Sequence, residues 1–170
     1  MPNQLLPGYQ LRIGSGRDRS TLVSYLKLSY QELFPELEDF SHLTETVKQF
    51  FSRETPLWWV ELADAGVSDD SSDVSPTLPR NEPVACMWLG NAVDQLKGDR
   101  HAHIFLLYVM PEHRRRGIAR ALMHQAEDWA MARGDRQIGL QVFQSNQPAL
   151  NLYHRLGYQT QSFWMIKPLE

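Results

Sequence analysis

A single cysteine, Cys86, stands in 170 residues. The chain therefore has no internal disulfide and no metal site built from cysteine alone, and it fits a reducing compartment. Long apolar runs are missing as well. No stretch approaches the ~20 residues that cross a bilayer as a helix, and Met1 to Gln10 lacks the charged start and hydrophobic core of a secretory leader. Together these absences lead to the expectation of a cytoplasmic protein without a membrane partner. There is no basic excess either: the net charge of -3 argues against a general nucleic-acid binder. No internal repeat is present. Gly14-Ser15-Gly16 begins like a dinucleotide fingerprint, but Arg19 occupies the third glycine position, so the pair reads as a turn.

What is there suits one domain over residues 1–170, long enough to bury a full core. Tyr9–Ile13 alternates as a strand, and Asp18 or Ser20 is placed to cap the helix that follows. A second helix starts near Ser41, with Leu43, Val47, Phe50 and Phe51 on its apolar face. Leu57–Leu62 and Val84–Leu89 read as an antiparallel pair, with Trp58, Trp59 and Trp88 as core or cleft wall. Between them, 64–81 holds four aspartates, four serines and two prolines, a composition that cannot bury enough surface to order itself. It is expected to be a mobile insertion. Later come a helix from Gly117 to Arg133 stopped by Gly134, a strand over Gln137–Phe143, a short helix after Pro148, and a closing strand over Tyr158–Lys167.

The densest signal lies between Ala102 and Arg120. Ile104-Phe105-Leu106-Leu107-Tyr108-Val109 is a continuous apolar run of the kind a strand needs when both its faces are covered. Pro111 ends it, and Arg114, Arg115, Arg116 and Arg120 then surround Gly117 and Ala119 at a helix start. Unpaired N–H groups and the positive end of the dipole make that start an anion site, which the arginines strengthen. The competing reading of a solvated or RNA-facing patch accounts less well for glycine at 117 and a small residue at 119.

Arg114, Gly117 and Ala119 match Gln/Arg-x-x-Gly-x-Gly/Ala, and Asn146 to Tyr153 followed by Leu156-Gly157-Tyr158 matches Asn-x-x-Ala-x-x-Leu-Tyr with its usual Leu-Gly-aromatic sequel. In this order and spacing the segments resemble the GNAT superfamily of acyl-CoA N-acyltransferases. The resemblance implies an α+β fold: a mixed, mostly antiparallel sheet splayed open at a cofactor cleft, with helices on both faces. It also implies acetyl-CoA as cosubstrate. In relatives, backbone groups matching Leu107, Tyr108 and Val109 hold the pantetheine arm and thioester carbonyl. The turn matching Arg114, Arg115, Arg116, Gly117, Ile118, Ala119 and Arg120 wraps the pyrophosphate, and Asn146 contacts the cofactor's arm.

The activity so implied moves acetyl directly to a primary amine of a small molecule or peptide, without a metal. Such a transfer requires a neutral amine, a stabilised oxyanion and a protonated leaving thiol. Tyr153 is the candidate acid, since a phenol near pKa ~10 is protonated where a thiol near ~8.5 begins to ionise. It follows Asn146 by seven residues, two helical turns, so if both are helical they project from one face. For the base, the position matching a glutamate of ribosomal-protein-type relatives is Gln141, which cannot accept a proton. The position matching the glutamate of histone acetyltransferase relatives is His103, which can; a water chain is the alternative. The rival function is a GNAT-like protein that senses acyl-CoA without chemistry. Glu32, Glu36, Glu38 and Asp39 hint at a cationic acceptor, and Phe163–Ile166 can pair across a homodimer.

Overall fold

The computed structural model describes residues 4–63 and 82–169; the expected mobile insertion lies outside these residues. Six strands form one sheet in chain order: β1 (Gln4–Leu6), β2 (Tyr9–Ile13), β3 (Leu57–Leu62), β4 (Ala85–Val93), β5 (Arg100–Val109) and β6 (Ile138–Leu140). Every neighbouring pair is antiparallel except β5 and β6. That exception follows from the connection. A crossover through helix α3 (Ile118–Ala132) returns the chain to the end of the sheet where it started, which a hairpin cannot do. The sheet is thus mixed and mostly antiparallel, as expected.

Helices α1 (Arg19–Leu33) and α2 (Ser41–Phe50), both between β2 and β3, cover one face of the sheet. Their Leu22, Tyr25, Leu26, Leu43 and Val47 pack on Trp59, Cys86, Trp88, Leu106 and Tyr108. On the other face, Ile118, Leu122, Met123 and Ala126 of α3 meet Trp58, Val60, Met87, Leu89 and Ile104. Helix α4 (Gln147–Arg155) adds Leu152, Tyr153 and Leu156 to the margin of that layer. The adjacent tryptophans Trp58 and Trp59 enter opposite layers because successive side chains of a strand point to opposite faces.

Local chemistry sets the helix ends. Gly117, at φ 83, and Gly134, at φ 82, bracket α3 in the left-handed region, where a Cβ is disfavoured. Asp18 does not cap α1 with its side chain. Its carboxylate accepts from the Ser15 N–H at 2.7 Å and pairs with Arg12 at 3.1 Å, closing the short turn ahead of the helix.

Three expectations need correction. Strand β1 was not foreseen, being three residues long. Strand β6 covers only Ile138–Leu140, because its register with β5 ends at Ile104 opposite Leu140. No strand forms over Tyr158–Lys167: residues 159–169 are exposed throughout and pair with no other described residue. A strand requires an edge to lie on, and here the segment leaves the body of its own chain.

Candidate active site

Strand β5 carries an extra residue. Opposite β4 the register passes from Trp88–Leu106 to Leu89–Ile104, leaving Phe105 as a bulge. Phe105 lies over Gly90, where an added Cβ would strike its ring, and against Trp88 at a ring separation of 4.9 Å. The bulge coincides with the end of β5–β6 pairing, so the two strands part there and a cleft opens beside Leu106–Val109.

Alternation along the ladder decides which backbone groups face that cleft. Met110 N–H donates to Val84 O at 2.8 Å, and Leu89 N–H turns to Pro56 O in the β3 direction. Counting by two, Leu106 and Tyr108 direct their N–H and C=O to β4, whereas those of Leu107 and Val109 point into the cleft. The expectation of three cleft-facing backbones is therefore corrected to two. The Tyr108 side chain turns to α1 instead, its hydroxyl donating to Glu32 Oε1 at 2.6 Å. Burial and the Glu32 carboxylate raise its pKa well above the ordinary phenol value.

At the end of β5 the chain makes a tight turn over Pro111–His113 and enters α3. Arg115 sits at φ 63, the one described non-glycine residue at positive φ, with Gly117 at φ 83 two positions on. Left-handed residues in alternation bring successive N–H groups to one side, the arrangement that cradles anions. Ala121 N–H donates back to Gly117 O at 3.0 Å, so those of Ile118, Ala119 and Arg120 precede the first helical bond and have no helical acceptor. The arginines divide. Arg114 donates to Glu32 at 2.7 and 2.8 Å and to Val109 O at 2.9 Å, with its guanidinium 5.6 Å from the Tyr108 ring centroid. Arg116 donates to the Tyr9 hydroxyl, which also bonds His113 Nδ1. Among the described residues Arg115 and Arg120 make no ion pair.

The proposed acid and base lie on opposite faces of the sheet. Tyr153 joins the α3 layer, 5.9 Å from the Tyr158 ring, and burial pushes its pKa up to about 12. Its phenol stays protonated throughout the neutral range. His103 alternates with Ile104 of the α3 layer and therefore lies toward α1 and α2, 5.5 Å from the Phe105 ring. Burial, and secondarily His101, lowers its pKa, so it is a neutral imidazole at pH 7. Asn146 caps α4, its Oδ1 accepting from Ala149 N–H at 3.3 Å. Between the Tyr153 and His103 faces lies the point where the β5–β6 register ends, at Ile104 opposite Leu140.

Two contributors escaped the sequence reading. Glu32 reads in the sequence only as one of an acidic run hinting at a cationic acceptor, yet it holds both Tyr108 and Arg114. Phe143, just past β6, reaches α1 and sets its ring 4.8 Å from Phe34 and 6.2 Å from Tyr30, bounding the cleft on the α1 side. No spacing rule links these residues; the Glu32 contacts span 76 and 82 positions and those of Phe143 still more. By contrast, the concavity beside Asp94, Lys97, Asp99 and Arg136 lies at the far end of the sheet from Gly117 and Tyr153.

A family model described as the acetyltransferase (GNAT) family matches residues 23–158, most of the chain, from within α1 to the end of α4. The chain belongs to the GNAT acetyltransferase family. Human N-acetyltransferase 8 is 26% identical over 123 residues, 64% of this chain and 54% of that protein, so the match spans about half the length of that relative. The fold also resembles a Pyrococcus furiosus protein assigned as an acetyl transferase, at TM-score 0.67 and 21% identity over 95% of this chain and 99% of that one. A Clostridium acetobutylicum protein assigned as an acetyltransferase and solved with acetyl-CoA gives TM-score 0.67 and 19% identity over 94% and 96%. For this GNAT chain, no described helix is long and apolar enough to cross a membrane, and no described cluster of His, Cys, Asp and Glu is arranged to hold a metal.

Proposed function

We propose that this protein transfers acetyl from acetyl-CoA directly to a primary amine of a small molecule or peptide. The observation that carries the reading is the parting of β5 from β6 at the Phe105 bulge, which leaves the Leu107 and Val109 backbones without a strand partner on that edge, a few residues ahead of the left-handed turn at Gly117. An extended arm bearing amides fits such a strand edge, a pyrophosphate fits the α3 start, and acetyl-CoA has both. Its presence in the Clostridium acetobutylicum neighbour supports the choice.

In this reading Leu107 N–H, Leu107 C=O and Val109 N–H receive the arm, while Arg114 already occupies the Val109 carbonyl. The N–H groups of Ile118, Ala119 and Arg120, with the side chains of Arg115 and Arg120, take the phosphates. The amine enters from the α1 side, past Phe34 and Phe143. The ammonium first loses one proton to water, and His103 takes a second from the attacking nitrogen as the C–N bond forms and returns it to water afterwards. A cleft-facing N–H of β5 stabilises the oxyanion as the C–N bond forms. As the C–S bond breaks, Tyr153 on the opposite face gives its proton to the departing thiolate. A phenol with pKa of about 12 is a weak acid in isolation, but the thiolate withdraws the proton as it develops, and rebinding from water restores the phenol. Arg114 and Arg116 are engaged by Glu32 and Tyr9, which leaves fewer free cations for a nucleic-acid partner.

Calorimetric titration with acetyl-CoA, beside Gly117→Glu, tests the cofactor site. Micromolar binding that the variant abolishes is the expected result, since the new side chain brings negative charge and a Cβ at φ 83. An amine screen reading thiol release then tests transfer. Tight binding with no turnover on any amine class would favour the second reading, a protein that senses acyl-CoA, for which exposed Gln141 at the end of β6 is the motivating residue.

A further inference from the structure

Tyr9 opens β2 near the β1 edge of the sheet, and its ring lies in the α3 layer, in the same cluster as Ile118 at the head of that helix. Its hydroxyl meets two residues 104 and 107 positions further along the chain: His113 Nδ1 at 3.0 Å and Arg116 Nη1 at 3.1 Å. A guanidinium can only donate, so the Tyr9 oxygen accepts from Arg116 and its own hydrogen goes to the imidazole. The His113 ring stands edge-on to the Tyr9 ring, with 5.8 Å between centroids. Leu6, across the hairpin from Tyr9, lies 3.9 Å from where a Cβ on Gly117 would stand. The β1–β2 hairpin therefore underlies the phosphate turn at more than one point.

The residue held between these contacts is the strained one. Arg115 sits at φ 63, a region that an L side chain disfavours and that persists where the surroundings over-determine it. Before it, Arg114 is fixed by Glu32 and the Val109 carbonyl. After it, among the described residues, Tyr9 is the one side-chain hydrogen-bond partner of Arg116. We propose that Tyr9 is a positioning residue for the cofactor: by tying His113 and Arg116 to one atom, it holds the Arg115–Gly117 turn in the shape that receives the pyrophosphate. This role rests on the acetyl-CoA reading of that turn. Tyr9 is 7% exposed and its hydroxyl is already occupied, so it acts through the turn and not on the ligand. A turn held ready does not have to be ordered by the ligand, and the hydroxyl therefore contributes to affinity for the phosphate-bearing end of the cofactor.

Tyr9→Phe keeps the buried ring and removes both hydrogen bonds, so its circular dichroism spectrum should match that of the unsubstituted protein. Its Kd for acetyl-CoA by calorimetry should rise about tenfold, the scale of one hydrogen bond to a charged group. S-acetylpantetheine keeps the thioester arm and lacks the pyrophosphate, and by ligand-observed magnetic resonance it should bind both proteins alike, whereas a loosened fold would weaken both ligands. Arg116→Met breaks the same bond from its other end. In a double-mutant cycle the two substitutions together should therefore weaken acetyl-CoA binding by clearly less than the product of their separate factors. Unchanged acetyl-CoA affinity in Tyr9→Phe, a parallel loss for S-acetylpantetheine, or factors that multiply in the cycle would each overturn the role while leaving the cofactor reading intact. An unsubstituted protein that binds no acetyl-CoA would instead overturn that reading, and the role with it.

Discussion

From Ala102 to Ile104, β5 has a neighbour on each edge; from Leu106 to Val109 it has β4 alone. Both halves are rich in apolar residues and both alternate between buried and half-buried positions. Hydrophobicity therefore explains why each half lies in the interior and says nothing about which backbone groups remain for a ligand. That choice comes from one extra residue, Phe105, and from the end of the β6 register. In the first half the backbone holds the sheet together, and in the second it is half available to bind.

The sharpest way to break the comparison is to remove one N–H at a time. Leu106→Pro deletes a donor that the ladder to β4 uses and is expected to cost on the order of 3 kcal/mol, enough to unfold a marginal domain. Leu107→Pro deletes a donor that faces the cleft, where proline is tolerated as on an edge strand. This variant should fold and lose acetyl-CoA binding. Thermal melts beside calorimetry distinguish the two, and equal destabilisation would contradict the alternation. Next in size, Tyr153→Phe should lower kcat by roughly a hundredfold, within the range for a general acid, while acetyl-CoA affinity stays within about twofold. An unchanged rate would remove Tyr153 from the acid role.

A smaller effect concerns pH. Because burial depresses the His103 pKa below its ordinary value near 6.5, its protonated form fills only below that pH in the folded protein. The acid limb of kcat/KM should then lie under pH 6.5 and vanish in His103→Gln, the remaining rate being pH-independent there. The same shift works on stability. The unfolded chain takes up the proton more readily, so His103 disfavours folding increasingly as pH falls below about 6.5 and has no such effect above it. Smallest of all, Glu32→Gln should cost about 1 kcal/mol or less, because the pair with Arg114 is some two-fifths exposed. Acetyl-CoA affinity should nevertheless drop a few-fold as Arg114 loses its anchor beside the phosphate turn. A wild-type affinity would show that the turn holds itself.

Legibility in the sequence followed the range of the forces involved. Strand β5, helix α3 and its bracketing glycines were readable, because apolar runs, helical stripes and left-handed turns are encoded within a few neighbouring residues. The family motifs stood out for the same reason. What could not be read was long-range. Nothing near Arg114 indicates that its guanidinium goes to Glu32, 82 positions away. Nothing near Phe143 shows that it meets α1. The segment over Tyr158–Lys167 has the composition of a strand and no strand geometry, since composition supplies the tendency and only a neighbour supplies the hydrogen bonds.

The single cysteine offers a clock. Cys86 lies near the start of β4, in the middle of the sheet, with its thiol fully buried between Trp59 and Tyr108 of the flanking strands, and burial raises its pKa well above the ordinary thiol value. Fraying at either end of the sheet does not uncover it. The rate at which an alkylating reagent reaches this atom in the native protein therefore counts the openings of the whole sheet, and its dependence on acetyl-CoA would measure how firmly a ligand in the cleft holds the core shut.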